Sequence, residues 1–258
     1  MFKKLMALPY AMFMLLFVLL PLALILVFAV IDATDGSFDM IANFKELAKE
    51  DALGKVIVNS IIAGFSTSAI CLLIGYPIAY YLTKKEFNKK GVMIGLFIAP
   101  MWVNFLLRMM AAKAVFSVLN IRLGMGTVIF GLSYEFLPYM IMPLYNTIQK
   151  IDKSYIEGAG DLGATPTKAF WKVTVPLSMP GILSGLTMVM IPSVTTFAVT
   201  EIMSNSKMML LGDFIYSLKA DSLNMAAAIS IVLILFMIAS MALTNKYDKG
   251  NDKGGKLW

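Results

Sequence analysis

The 258-residue chain contains no histidine and a single cysteine, Cys71. Without imidazole it lacks the commonest general base and the commonest transition-metal ligand, and the Ser-His-Asp and Cys-His nucleophile arrangements are closed to it. One cysteine forms no intrachain disulfide and no cysteine-based metal cluster, and it says nothing of redox compartment. Charge is also scarce, at 15% of residues, whereas soluble domains carry about 25%. What replaces it is hydrocarbon: 59% of residues are hydrophobic and the mean hydropathy is +0.78. A soluble domain of this length would need more charge to cover its surface; a membrane protein solvates its apolar exterior with lipid. The 21 methionines read as flexible packing rather than a metal path.

Six stretches, about 6–31, 57–82, 92–111, 125–147, 181–202 and 223–244, are apolar over the roughly 20 residues that a helix needs to cross a bilayer. They are expected to be helices, because a lone apolar run satisfies its backbone polar groups in lipid in no other way. The expected fold is therefore all-α: one transmembrane domain over 1–258 with six spans. The first stretch follows Lys3-Lys4 and exceeds the roughly 7–15 residues of a signal-peptide core, so it reads as a retained span.

The net charge of +6 invites a nucleic-acid reading, but the cations are scattered among short loops without interleaved aromatics. Membrane orientation explains them instead. Alternate loops and ends hold 14 Lys and Arg on one side and 8 on the other, so both termini are expected in the cytoplasm. The first outer loop, 32–55, carries six carboxylates against three lysines, which makes that face locally acidic.

One loop on the cytoplasmic side, about 148–180, is long, and long loops in compact proteins usually carry function. Inside it Gly158, Gly160 and Gly163 spell G-x-G-x-x-G. A dinucleotide fingerprint needs a hydrophobic strand before the glycines and an acid about 20 residues later. The preceding "NTIQKIDKSYIE" is polar, and after Asp161 the next carboxylate is Glu201, across a span. No Walker A sequence occurs either. Local chemistry gives another object. Ser154-x-x-Glu157 has the form of a capping box, Gly163 suits a left-handed helix end, and Thr165-Pro166 suits a second helix start. Pro176 and Pro180 are expected to end that second helix. The result is two short helices about a glycine elbow, and Ala159, Gly160 and Gly163 leave one flank nearly bare of side chain.

Glu157-Gly158-Ala159, three residues, Gly163, nine residues, then Val173-Thr174-Val175-Pro176 resembles the E-A-A-x₃-G-x₉-I-x-L-P loop of ABC importer permeases. Gly158 departs from the alanine of that pattern and weakens the helix by about 0.5–1 kcal/mol. "APMWVNFLLR", "FLPYMIMPLYNTIQKIDKSYIEGAGDLGA" and "VPLSMPGILSGLTMVMIPSVTTFAVTEIMSNSKMMLLGD" resemble the first permease subunit of the spermidine/putrescine importers. The resemblance implies a type I importer permease fold in a bacterial plasma membrane, paired with a second permease as a heterodimer. It also implies two cytoplasmic ATPase subunits that bind ATP and Mg, and an extracytoplasmic polyamine-binding protein. This chain would bind no cofactor and catalyse no reaction. In that family the loop docks on the ATPase, a role that falls here to Glu157, Gly158, Ala159, Gly163 and Pro176.

Ionisable groups within spans are costly and tend to face a pathway or a partner. Glu135 lies inside the fourth expected span and Glu201 near the outer end of the fifth. The resemblance places an acid of the substrate path at Glu201. Glu135 is open between facing the path and a packing role, paired with Arg108 or Lys113 or protonated by desolvation. Trp102 and Asn104 resemble a W-x-N element of the polyamine branch: an indole binds an ammonium by cation–π attraction, and an amide oxygen accepts from it. Two rival classes remain. A secondary transporter would use broken helices, for which Pro143 and Pro192 are candidates, and a membrane-embedded enzyme would need a catalytic cluster that the composition does not provide. An ABC permease for another small organic solute is a nearer alternative.

Overall fold

The computed structural model describes residues 9–31, 39, 41–84 and 92–254, and their side chains outside 219–221 and 243–254. Lys3, Lys4, Lys85, Lys89, Lys90 and Lys256, Asp32 and Asp35, and the start of the first expected span lie outside the described residues. Among the described residues the regular elements are all helices. In chain order they are α1 (Pro9–Val30), α2 (Ala42–Leu47), α3 (Asp51–Leu82), α4 (Val92–Trp102), α5 (Phe105–Val118), α6 (Met125–Ile148), α7 (Lys153–Asp161), α8 (Pro166–Leu177), α9 (Met179–Thr195), α10 (Ala198–Ser204), α11 (Leu211–Asp221) and α12 (Leu223–Gly254).

Helices α1, α3, α6 and Leu223–Ala242 of α12 are long and apolar enough to cross a membrane. The pairs α4–α5, bent by 92°, and α8–α9, bent by 63°, raise four spans to six if each bent pair counts as one. The all-helical, multi-span architecture expected from composition is thus what the chain adopts.

Local chemistry moves several boundaries. The third stretch, 92–111, is not one helix. Pro100 lacks an N–H, the turn Ala99–Trp102 tightens to 3₁₀, and Val103 is extended before α5 begins at Phe105 and runs on to Val118. The fifth stretch, 181–202, breaks at Thr196–Phe197, with α9 starting earlier and α10 following as a short separate helix. Pro143 does not break α6, which continues through both Pro138 and Pro143. Two prolines are instead absorbed by wide turns. The N–H of Leu20 donates to Leu15 O just before Pro21, and that of Val175 donates to Phe170 O just before Pro176. Each is a π-segment, in which five-residue spacing relieves the clash of a proline ring with the carbonyl four residues back.

The chain divides into two units. In the first, Met1–Val56 with Asp213–Ile238, α1 leaves nearly all its side chains exposed, as suits a helix solvated by lipid. Its C-terminal carbonyls would be orphaned. Asn43 Nδ2 donates to Ala29 O (2.9 Å) and Ile31 O (2.8 Å), and Asn224 Nδ2 donates to Ile31 O (2.6 Å). Ala29, Ala227 and Ala228 pack beneath these caps with Ile25, Phe44 and Ile231.

The second unit, Ile57–Gly212 with Ala239–Trp258, holds two cores. In one, Cys71, Tyr76, Ala79 and Leu82 of α3 meet Met140, Ile141, Leu144 and Ile148 of α6 and Ile182 and Val189 of α9. Small residues set the approach of α9 to α6. A Cβ at Gly181 would stand 2.7 Å from Thr147 Oγ1 and 2.9 Å from Pro143 O, and one at Gly185 would stand 2.6 Å from Met140 Sδ. Close backbone contact of this kind is how helices associate where lipid removes the hydrophobic drive. In the other core, Ala63 of α3, Met109 of α5, Val128 and Leu132 of α6 and Val199 and Met203 of α10 pack with Leu210. Ser60 Oγ accepts from the N–H of Leu211 (2.8 Å) there.

Candidate functional site

The 153–177 segment is two helices joined at Gly163, whose φ of +80° is left-handed. The N–H of Gly163 donates to Gly160 O (2.8 Å) and that of Ala164 to Ala159 O (2.9 Å), closing the carbonyls of α7. Thr165 Oγ1 accepts from the N–H of Lys168 (3.3 Å) with Pro166 first in α8, as the sequence suggests. Two expectations change. The cap of α7 is Asp152 rather than Ser154: Asp152 Oδ1 accepts from the Ser154 N–H (3.0 Å), because a carboxylate two residues earlier is at least as good a cap as a serine. The Ser154 backbone N–H, and then its hydroxyl, hold the Asp152 carboxyl below the ordinary carboxylate range. Nor does Pro176 end the second helix, which runs through its π-segment to Leu177; Pro180 begins α9.

A Cβ placed at Gly158, Gly160 or Gly163 would meet nothing within 4 Å. Glu157 is exposed. Spacings of four and three put Tyr155, Ala159 and Leu162 on one helical face. Leu162 is 91% exposed, and Tyr155 and Trp171 are open as well. Sequence reasoning passed over these three; a large apolar residue repeating at helical spacing in a loop outside every span was the available signal. Elsewhere the segment is anchored. The Phe170 ring meets Tyr76 and Tyr80 of α3 edge-on at 5.7 and 5.1 Å, and Tyr76 Oη lies 2.8 Å from Ser178 Oγ at the α8–α9 turn.

The residues expected on a substrate path fall at two places. Trp102 and Asn104 flank the α4–α5 bend. Trp102 is 88% exposed, but Asn104 Oδ1 accepts from the N–H groups of Leu106 (2.9 Å) and Leu107 (3.4 Å), so its acceptor is engaged in capping α5. Asn104 therefore shapes the bend rather than presenting a free acceptor. Four residues on, Arg108 Nη2 lies 2.6 Å from Glu135 Oε2 of α6, with the side chains 6% and 13% exposed. The guanidinium carbon of Arg108 is also 5.7 Å from the Tyr134 ring centre. Of the two readings left open for Glu135, pairing with Arg108 holds in this conformation. Glu201 stands in the first turn of α10, exposed, between the buried Thr200 and the half-buried Ile202. Among the described residues it forms no ion pair, and α10 packs on α5 and α6 through Val199 and Met203.

A cavity of about 620 Å³ opens beside the C-terminal end of α5, lined by Lys113, Arg122, Lys207, Asn120 and Asn205 with Ser117, Ile121 and Leu123. Three cations and no carboxylate line it, which repels a polycation. Among the described residues no group of three metal-ligating side chains gathers.

Comparison with known proteins agrees with this arrangement. Residues 2–252 match the family described as binding-protein-dependent transport system inner membrane component. The chain is 32% identical over 248 residues to the spermidine/putrescine transport system permease protein PotB of Escherichia coli (strain K12), covering 86% of this chain and 89% of that protein. The Haemophilus influenzae PotB is 32% identical over 244 residues, covering 86% and 85%. A PotB homolog of Mycoplasma genitalium is 27% identical over 225 residues, covering 82% and 78%. Among solved structures, a bacterial ABC transporter that imports the acidic polysaccharide alginate superposes with a TM-score of 0.66 at 19% identity, over 95% of this chain and 96% of that one. The inward-facing MetNI methionine ABC transporter gives 0.59 at 16% identity, over 78% and 98%. At such identities the structures speak for fold alone, but with the match over nearly the whole chain, this protein belongs to the inner-membrane component family of binding-protein-dependent transport systems.

Proposed function

We propose that this chain is a permease subunit of an ATP-driven importer of polyamines of the spermidine/putrescine class, sitting in a bacterial plasma membrane with both termini cytoplasmic. It forms half of the translocation path, with a second permease as the other half. Two ATPase subunits beneath bind ATP and Mg, and an extracytoplasmic receptor delivers the polycation. The chain itself needs no cofactor and hydrolyses nothing.

The observation that carries the coupling role is the build of 153–177. One side presents Tyr155 and Leu162 exposed with the open Gly158 beside them; elsewhere the segment is fixed to α3 through Phe170 and to the α8–α9 turn through Ser178. A partner seated on the exposed side moves what the rest is fixed to. The relatives named for spermidine and putrescine support the substrate class, and Glu201, Trp102 and Glu135 supply the chemistry a polyammonium needs: carboxylate charge and an aromatic face.

The test is reconstitution with the ATPase, second permease and receptor in proteoliposomes. Uptake of labelled spermidine requires ATP. Glu201→Gln removes one charge-assisted contact, about 1.5–3 kcal/mol, and so slows uptake about tenfold or more while the ATPase still co-purifies. Uptake without any ATPase would identify a secondary carrier, and ATP-driven uptake of a different solute would replace the substrate assignment. Unchanged uptake in Glu201→Gln would remove that residue from the path.

A further inference from the structure

A carboxylate beside an aromatic face is what recognises an alkylammonium, and the Glu135–Tyr134 pair already holds a cation that belongs to the chain itself. Arg108 Nη2 is 2.6 Å from Glu135 Oε2, and its guanidinium carbon is 5.7 Å from the Tyr134 ring centre. We propose that Glu135 and Tyr134 form a cation site that Arg108 fills in this conformation and that a protonated amine of the transported polyamine fills in turn. The inference rests on the polyamine reading above.

The pair is a poor permanent tie. Arg108 is almost fully buried, yet its Nε and Nη1 have no hydrogen-bond partner among the described residues, and the close contact to Glu135 Oε2 lacks the alignment of a hydrogen bond. Leaving donors of a buried cation unmet is costly, and a buried ion pair is favourable only when its remaining lone pairs and protons are satisfied. A helix-to-helix tie built for stability would engage those donors; a site whose occupant is exchanged need not.

Tyr134 is exposed, and the Glu135 side chain is 13% exposed against 6% for Arg108, although Glu135 Oε2 itself is buried against the guanidinium. The cation also sits beside a bend in the chain. The Arg108 N–H donates to Asn104 O (3.2 Å), so the guanidinium rides on the first turn of α5, immediately after the 92° bend that carries exposed Trp102. Glu135 is on α6. A change in the bend would therefore move Arg108 relative to Glu135. The exchange keeps charge constant: one cation leaves as another arrives, and the carboxylate is never left alone in a low-dielectric surrounding, where its cost would be greatest.

The experiment uses the complex of this chain with its partner permease and ATPase, receptor absent, and measures equilibrium binding of radiolabelled spermidine. Receptor-driven uptake by the wild-type complex is checked first. Absence of that uptake removes the polyamine reading, and the inference with it; when uptake is present, the binding measurements bear on the cation site alone. A resident cation that holds the site nine-tenths of the time weakens apparent affinity about tenfold, so Arg108→Gln is expected to bind spermidine about tenfold tighter. Arg108→Gln with Glu135→Gln is expected to lose that gain. Arg108→Lys preserves the charge of the pair but gives up the planar fork; its expected affinity is intermediate, and it decides the matter if Arg108→Gln does not assemble. Affinity that is unchanged or weaker in the assembled variant, or a gain that survives Glu135→Gln, overturns the proposal. A purely structural tie would lower the melting temperature of the Arg108→Lys complex and leave spermidine affinity where it was.

Discussion

Gly158→Ala and Gly163→Ala, five residues apart, should act with opposite signs on the same helix, and neither effect is confounded by a clash with a neighbouring element. A Cβ at either position meets nothing within 4 Å. Gly158 is inside α7, where alanine removes the unfolded-state freedom of glycine and favours the helix by about 0.5–1 kcal/mol. Gly163 has φ of +80°, so alanine there brings a Cβ against the following carbonyl and costs about 1–2 kcal/mol. These energies convert to amide exchange within Lys153–Asp161 about two- to fivefold slower for Gly158→Ala and about five- to thirtyfold faster for Gly163→Ala. The assay is hydrogen exchange by mass spectrometry on the two-permease complex, with and without the ATPase. With ATPase bound, the wild-type and Gly158→Ala profiles should converge, since the partner orders the helix in both. Gly163→Ala should also co-purify less ATPase, because its elbow no longer aims α7. Slower exchange in Gly163→Ala, or no difference between wild type and Gly158→Ala without the ATPase, would refute the reading of this segment as a glycine-weakened helix with a left-handed elbow.

Three further outcomes are expected. Phe170→Ala removes its two edge-to-face ring pairs with α3, at 5.7 and 5.1 Å, worth together about 1–3 kcal/mol; the ATPase should still dock, but ATP hydrolysed per spermidine imported should rise, and an unchanged ratio would deny Phe170 a transmitting role. Gly181→Ala sets a methyl 2.9 Å from Pro143 O, an overpacking that costs about 1–3 kcal/mol and should lower the melting temperature of the purified complex; an equal melting temperature would show that α9 is not seated on α6 there. The Asp152 cap contributes stability above the unfolded carboxyl pKa of about 3.9 and loses it as pH falls through the lower folded value. Amide exchange in α7, corrected for its intrinsic pH dependence, should therefore be constant from pH 8 to 5, with Asp152→Ala faster throughout; a loosening of the wild-type helix between pH 7 and 5 would contradict the cap.

Much of this is legible in the sequence, and the reason is that lipid enforces its rules segment by segment. An apolar stretch such as 125–147 in a chain with 15% charge has one solution, and α6 is it, even across two prolines. The elbow was legible because Thr165-Pro166 and Gly163 each act over three or four residues. What sequence pattern missed was competition among nearby signals. Ser154 is a sound cap, but Asp152 is a sound cap two residues earlier. The 92–111 stretch is uniformly apolar, so hydropathy hides a break that depends on Pro100 and the side-chain oxygen of Asn104 acting together. The pairing of Glu135 depends on how α5 packs against α6, which no pattern within either helix encodes; the sequence supplied Arg108 as a candidate partner and the fold selected it.

The wide turn at Phe170–Thr174 has a mechanical consequence. A proline in the third turn of an ordinary helix makes a hinge, and a hinge absorbs displacement. By widening ahead of Pro176, α8 stays a single rod of 12 residues, about 18 Å long at 1.5 Å per residue. Its near end is the elbow at Gly163 and its far end is Ser178, bonded to Tyr76. A push at one end therefore emerges at the other as travel along a stiff pin, and the bending is left to the 63° corner beyond it.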